Sequence, residues 1–217
     1  KLQGEIIADL QEMDDDTRHV ASRRFRELLY PQAHPYHYRA AGYVDTVGSF
    51  SLSDVEGLYH RWYDPRNLTL VVVGDMEPYA AVEAIARYFG EWQPAGEVVN
   101  WRLPPVQRPA QEQSETVVVP DKTQVDVIWG FLGLERTSAD YYPALLTDVI
   151  WGQLGLMGRL GEKVRDEMGL AYYVYSRLEA GFGPGPWAVR AGVNPRNVQR
   201  ALDGIAAEAK RLVQEPV

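Results

Sequence analysis

Apolar residues recur along this 217-residue chain in two rhythms, one of helical period and one of strand character. Lys1 to Met13 reads as a helix or the C-terminal part of one. The acidic run Asp14, Asp15, Asp16 breaks it, and Thr17 is placed to cap a second helix with Ala21, Phe25, Leu28 and Leu29 on one face. His34-Pro35-Tyr36 ends that helix in an extended loop, because a residue before proline avoids the helical region. Ser51 and Asp54 have capping-box spacing and open a helix whose apolar face is Val55, Leu58, Tyr59 and Trp62. Asp64-Pro65 stops it. Leu68 to Val73 is a near-continuous, β-branched apolar run, the pattern of a buried strand. Glu77 to Tyr88 returns to helical spacing through Val82, Ile85, Ala86 and Phe89.

The texture changes from Gln93 to Gln113, where Pro94, Gly96, Pro104, Pro105 and Pro109 crowd together in the manner of an inter-domain linker. Strands are expected at Thr116–Val119 and Gln124–Leu132, then helices over Asp140–Trp151 and Leu160–Met168, the second closed by Gly169. Ala171–Ala180 and Trp187–Val193 read as a strand pair around the loop Gly181–Pro186. A last helix runs from about Pro195 to Gln214. The order predicts an α+β fold, helices on a mostly antiparallel sheet. The first half has few strands for its helices and reads as an incomplete domain.

Composition narrows the partners. A net charge of -8 and a pI near 5.1 are poor for tracking phosphates, which argues against nucleic acid. There are no cysteines, so disulfides and thiolate metal sites are excluded. No apolar run approaches the roughly 20 residues that span a bilayer, and no targeting segment is visible. The compartment is left open. The chain opens on Lys1 rather than Met and is read as an internal fragment.

Several blocks together carry a family resemblance: His34-Pro35-Tyr36 followed by Gly42; Leu52 through Tyr59 and on through Trp62-Tyr63 to Gly74-Asp75; Gly158-Arg159-Leu160 through Arg165 to Gly169-Leu170-Ala171-Tyr172; and Asn194-Pro195. In this order they resemble the insulinase/pitrilysin-type zinc metallopeptidases, which include the mitochondrial processing peptidases. The resemblance implies two related, processing-peptidase-like α+β domains. Residues 1–92 would be the C-terminal part of the first, 93–113 the linker, and 114–217 the second, truncated at its C-terminus.

The family's chemistry is zinc-assisted peptide hydrolysis, with two imidazoles and a general base from His-x-x-Glu-His and a downstream Glu as third ligand. The four histidines, His19, His34, His37 and His60, do not form that motif. The third-ligand position falls on Asp9, and the family's earlier Glu on Leu2, when Gly4, Ile6 and Ile7 are aligned. An Asp carboxylate would fall short by about 1.5 Å, well outside the tolerance of a zinc bond. Glu5 and Glu12, a helical turn to either side, are the alternatives in another register; a solvated helix face is the plain reading of all three and the preferred one for Glu12. Zinc is thus implied by the family but is not expected to be held by this chain. His34 and His37 are expected to be loop residues contacting backbone, since Pro35 forbids an ordinary helix.

The resemblance also implies a role for Arg165 and Tyr172, whose counterparts hold substrate backbone and stabilise the oxyanion. The plain alternative pairs Arg165 with Glu162 or Glu167 and puts Tyr172 in the core. Three functional expectations follow. The chain is part of a non-catalytic subunit that lends Arg165 and Tyr172 to a second peptidase-family subunit, as a homo- or heterodimer, around an unfolded peptide. Or it is a fragment of an active zinc endopeptidase, or of a structural scaffold subunit. By itself it is expected to hydrolyse nothing.

Overall fold

The computed structural model describes residues 1–95, 98 and 102–215; Gly96 and four others of the expected linker, and the last two residues of the chain, lie outside the described residues. In chain order the elements are α1 (Leu2–Asp15), α2 (Thr17–Leu29), α3 (Val44–Ser49), α4 (Leu52–Trp62), α5 (Pro78–Phe89), β1 (Val125–Leu132), α6 (Tyr141–Asp148), β2 (Ala171–Leu178), β3 (Pro186–Val193) and α7 (Val198–Gln214). Packing groups them into two units, Lys1–Val44 with Leu103–Val217, and Asp45–Arg102.

The larger unit is built on an antiparallel sheet of order β1-β3-β2. Pro186 starts β3, where its missing N–H costs the ladder least. Side chains alternate across the sheet. Val125, Val127 and Trp129 of β1, Val174 of β2, and Val189, Ala191 and Val193 of β3 face a core with Trp151, Leu160, Val164, Ala201 and Ile205. Each large side chain buried there is worth roughly 1.5–3 kcal/mol. Trp151 meets Trp129 and Trp187 edge-on at centroid distances of 6.2 and 6.0 Å. The opposite face of β1 is covered by α2, with α1 behind it. Leu29 and Tyr30 pack on Leu132 there. The α+β class holds, and helices occupy both faces of this sheet.

Two helix details differ from the sequence reading. The cap of α2 is Asp16 rather than Thr17. Asp16 has the extended backbone of an N-cap, and its carboxylate accepts from the Arg18 and His19 amides at 2.9 and 3.0 Å. Thr17 is thereby free to donate its hydroxyl to Asp126. The helix expected to reach Trp151 is α-helical only to Asp148 and continues as a π-helix over Val149–Gln153. The following helix is π-helical from Gly161 to Glu167. Gly152 lets the first π segment close on β2: a Cβ there would stand 2.7 Å from Leu160 Cδ1 and 2.8 Å from the Ser176 amide.

In the smaller unit the capping box opens α4 as expected. The Ser51 amide donates to Asp54 at 2.8 Å, and the Asp54 amide to Ser51 Oγ at 3.3 Å. Buried Asp64 anchors the turn after α4, accepting from Arg66 Nε at 2.8 Å and from the Ala95 amide at 3.2 Å. The expected strand Leu68–Val73 forms no strand, and Val73 is 92% exposed. Among its described residues this unit contains helices and turns only, so the run has no ladder to join. Strand propensity expresses packing on a pleated surface, and without that surface it specifies nothing. Thr116–Val119 likewise forms no strand, and Val118 is exposed.

Candidate functional site

Arg165 and Tyr172 lie on either side of one sharp turn. Arg165 is carried by the π-helix Gly161–Glu167, a geometry that accumulates at functional positions. Gly169 then takes φ +62°, cheap only for glycine, with its amide on Arg165 O at 3.0 Å. β2 begins two residues later. Ala171 is opposite Val193 and Tyr173 is opposite Gly192, so Tyr172 is the extra residue of a β-bulge. Tyr172 is 65% exposed. The core position considered for Tyr172 is therefore corrected: the bulge takes it out of the alternation that would have turned it inward. Arg165 donates to Asp166 at 3.2 Å, not to Glu162 or Glu167; Glu167 holds Lys163 at 2.5 Å instead.

The neighbouring Tyr173 behaves oppositely. It is half-buried, donates its hydroxyl to Asp126, and carries the Arg18 guanidinium over its ring at 4.6 Å. Burial pushes its phenol well up from the ordinary range, and the bond to Asp126 adds to this. The segment joining the two π-helices packs on β2 and exposes Leu154, Leu156 and Met157. Two open surface pockets of about 380 and 390 Å³ lie elsewhere in this unit, one against Trp129 and α7, the other between the start of α2 and residues 121–126. Neither borders Arg165 or Tyr172.

Glu5, Asp9 and Glu12 are all exposed on α1, and Lys1 lies 4.0 Å from Glu5. Zinc needs three or four converging donors. Among the described residues no three His, Asp or Glu side chains gather closely enough to hold a metal ion. The described residues therefore do not fit a zinc centre.

His34 and His37 both turn Nδ1 to backbone. His34 accepts from the Tyr36 amide at 3.0 Å, and His37 Nδ1 lies 2.8 Å from Tyr30 O. His34 is buried between Tyr30, stacked at 5.0 Å, and Tyr36, edge-on at 4.9 Å. Burial holds its pKa below the usual 6.5. The two tyrosines then grip the Gly181–Pro186 loop: Tyr30 donates to Pro184 O at 3.0 Å, and the Gly183 amide donates to Tyr36 Oη at 3.4 Å. The sequence reading overlooked buried Asp148, which accepts from the Leu178 amide at 3.1 Å and from Trp187 Nε1 at 2.7 Å. A lone Asp on the apolar face of a predicted helix was the available signal.

Residues 49–217 match the family model of the peptidase M16 inactive domain, and the chain belongs to that family. It is 25% identical over 202 residues to an uncharacterized zinc protease of Streptomyces coelicolor, covering 92% of this chain and 44% of that protein. It is 28% identical over 201 residues to a probable inactive metalloprotease of Bacillus subtilis, covering 90% and 44%. The chain thus spans less than half the length of these relatives. The crystal structure of a peptidase M16 inactive domain from Pseudomonas fluorescens superposes with a TM-score of 0.85 at 22% identity, over all of this chain and 52% of that one. The insulinase/pitrilysin resemblance and the α+β fold are both shown. Among the described residues, no helix is long and apolar enough to cross a membrane.

Proposed function

We propose that this chain is the peptide-holding part of a peptidase-family subunit that lends Arg165 and Tyr172 to an active site completed by a second such subunit. The observation that carries the reading is Tyr172, exposed at a bulge directly after the glycine turn that follows the Arg165 helix. A guanidinium and a phenol are directional donors suited to an extended peptide backbone and to a developing oxyanion. The exposed Leu154, Leu156 and Met157 offer apolar contact to an unfolded chain. Zinc would be held outside this chain. Residues 1–92, 93–113 and 114–217 are taken as the end of one peptidase-like domain, a linker and a second domain.

The test is binding of a fluorescein-labelled unstructured peptide, rich in Lys and Arg, to the complete subunit with its partner. Loss of a hydrogen bond from a charged donor costs about 1.5–3 kcal/mol, so Arg165→Ala should weaken binding about 10- to 150-fold. Tyr172→Phe should weaken it severalfold. Unchanged affinity in both variants refutes the reading.

A second reading, a fragment of an active zinc endopeptidase, is favoured by relatives described as zinc proteases. Metal analysis of the complete subunit purified alone separates the two. One zinc per chain supports the enzyme; no zinc, with activity only after a partner is added, supports the shared site.

A further inference from the structure

Asp126, Gly192 and Tyr173 stand in one row across the sheet: Asp126 on β1 faces Gly192 on β3, which faces Tyr173 on β2. The Tyr173 ring bridges the whole row. It lies over Gly192 and delivers its hydroxyl to Asp126 two strands away. Only a missing side chain permits this, because a Cβ on Gly192 would overlap the ring and stand 2.8 Å from Gln124 Nε2. Arg18 closes the other side of the ring, and its Nε is 3.8 Å from Asp126. Thr17 and Gln124 also donate to Asp126, whose side chain is 3% exposed. The strap is therefore anchored in the part of the sheet farthest from β2.

The residue it anchors is the one that follows the bulge. Without the strap, the strand could slip by one position and restore regular alternation, which would move Tyr172 to the other face. We propose that Asp126, acting through Tyr173, is a positioning residue that pins the bulge and so keeps Tyr172 pointing out of the sheet. The consequence for peptide affinity rests on the reading of Tyr172 given above; the positioning itself does not.

The experiment places 3-fluorotyrosine at position 172 in the complete subunit and follows its ¹⁹F resonance together with affinity for the fluorescein-labelled peptide. Tyr173→Phe and Asp126→Ala should each shift or split the resonance, and the double variant should do no more than either single one. Asp126→Asn retains an acceptor for the Tyr173 hydroxyl and should keep the wild-type resonance. Thr17→Val removes a different bond to Asp126 and serves as the control, lowering Tm without moving the resonance. If Asp126→Ala does not fold, Gly192→Ala displaces the ring from beneath and replaces it. In the straining variants affinity should fall about tenfold, the scale of losing one aromatic contact. A resonance unchanged in Tyr173→Phe overturns the proposal, whatever the affinity does. A shifted resonance with unchanged affinity upholds the positioning and refutes Tyr172 as the peptide contact.

Discussion

Replacing Asp148 with alanine removes the carboxylate that ties α6 to β2 and β3. Asp148 is fully buried and receives two hydrogen bonds, 3.1 Å from the Leu178 amide and 2.7 Å from Trp187 Nε1. A bond to a charged acceptor contributes about 1.5–3 kcal/mol, so two give roughly 3–6. Relief of the carboxylate's desolvation offsets part of this, and the two orphaned donors add to it. A net loss of about 3–4 kcal/mol follows. With a urea m-value near 2 kcal/mol/M, the unfolding midpoint should fall by about 1.5–2 M. A more local readout is exchange of the Trp187 indole N–H, slow in the parent and fast in the variant. In combination with Trp187→Phe the effects should be less than additive by at least about 1 kcal/mol, because both remove the same bond. A midpoint change worth under 1 kcal/mol, or strict additivity, would refute this account of Asp148.

Two further outcomes follow from other buried groups. Burial lowers the His34 pKa, so as pH falls the unfolded chain binds its proton first, and stability declines from about pH 6.5 downward. The slope for one proton is at most about 1.4 kcal/mol per pH unit. His34→Asn, which retains an acceptor for the Tyr36 amide, should flatten that part of the stability–pH curve; an unchanged slope would assign the acid sensitivity elsewhere. Gly152→Ala introduces a methyl against Leu160 and the Ser176 amide and should cost about 1–3 kcal/mol in thermal or urea unfolding, whereas a neutral result would mean the first π-helix does not pack this closely on β2.

Features governed by neighbours in sequence were legible from the residues alone. The Ser51–Asp54 box, the Gly169 turn and the β2–β3 pair all formed where local spacing put them. The family blocks were legible too, because they are strings of residues in fixed order. Leu68–Val73 shows the opposite case: its pattern is that of a strand, but pairing is supplied by a partner, and none stands beside it among the described residues of its unit. The α-to-π change after Asp148 was equally hidden, and there Gly152 lies close against Ser176 and Leu160, residues distant or across the turn in sequence.

The candidate site divides in the same way. Arg165 and Tyr172 were identifiable as residues, and their separation by a glycine turn could be read directly. Which tyrosine faces solvent could not. Tyr172 and Tyr173 are adjacent, identical in chemistry and equally suited to a strand. A one-residue bulge decides between them, and it is set by contacts from β1, β3 and α2 that lie up to 155 positions away along the chain (Arg18 to Tyr173). The sequence by itself determined the family, the turns and the local helical signals, because those depend on short-range order. Only the tertiary structure decided which tyrosine faces solvent and which holds the sheet, because that depends on what lies across the strands.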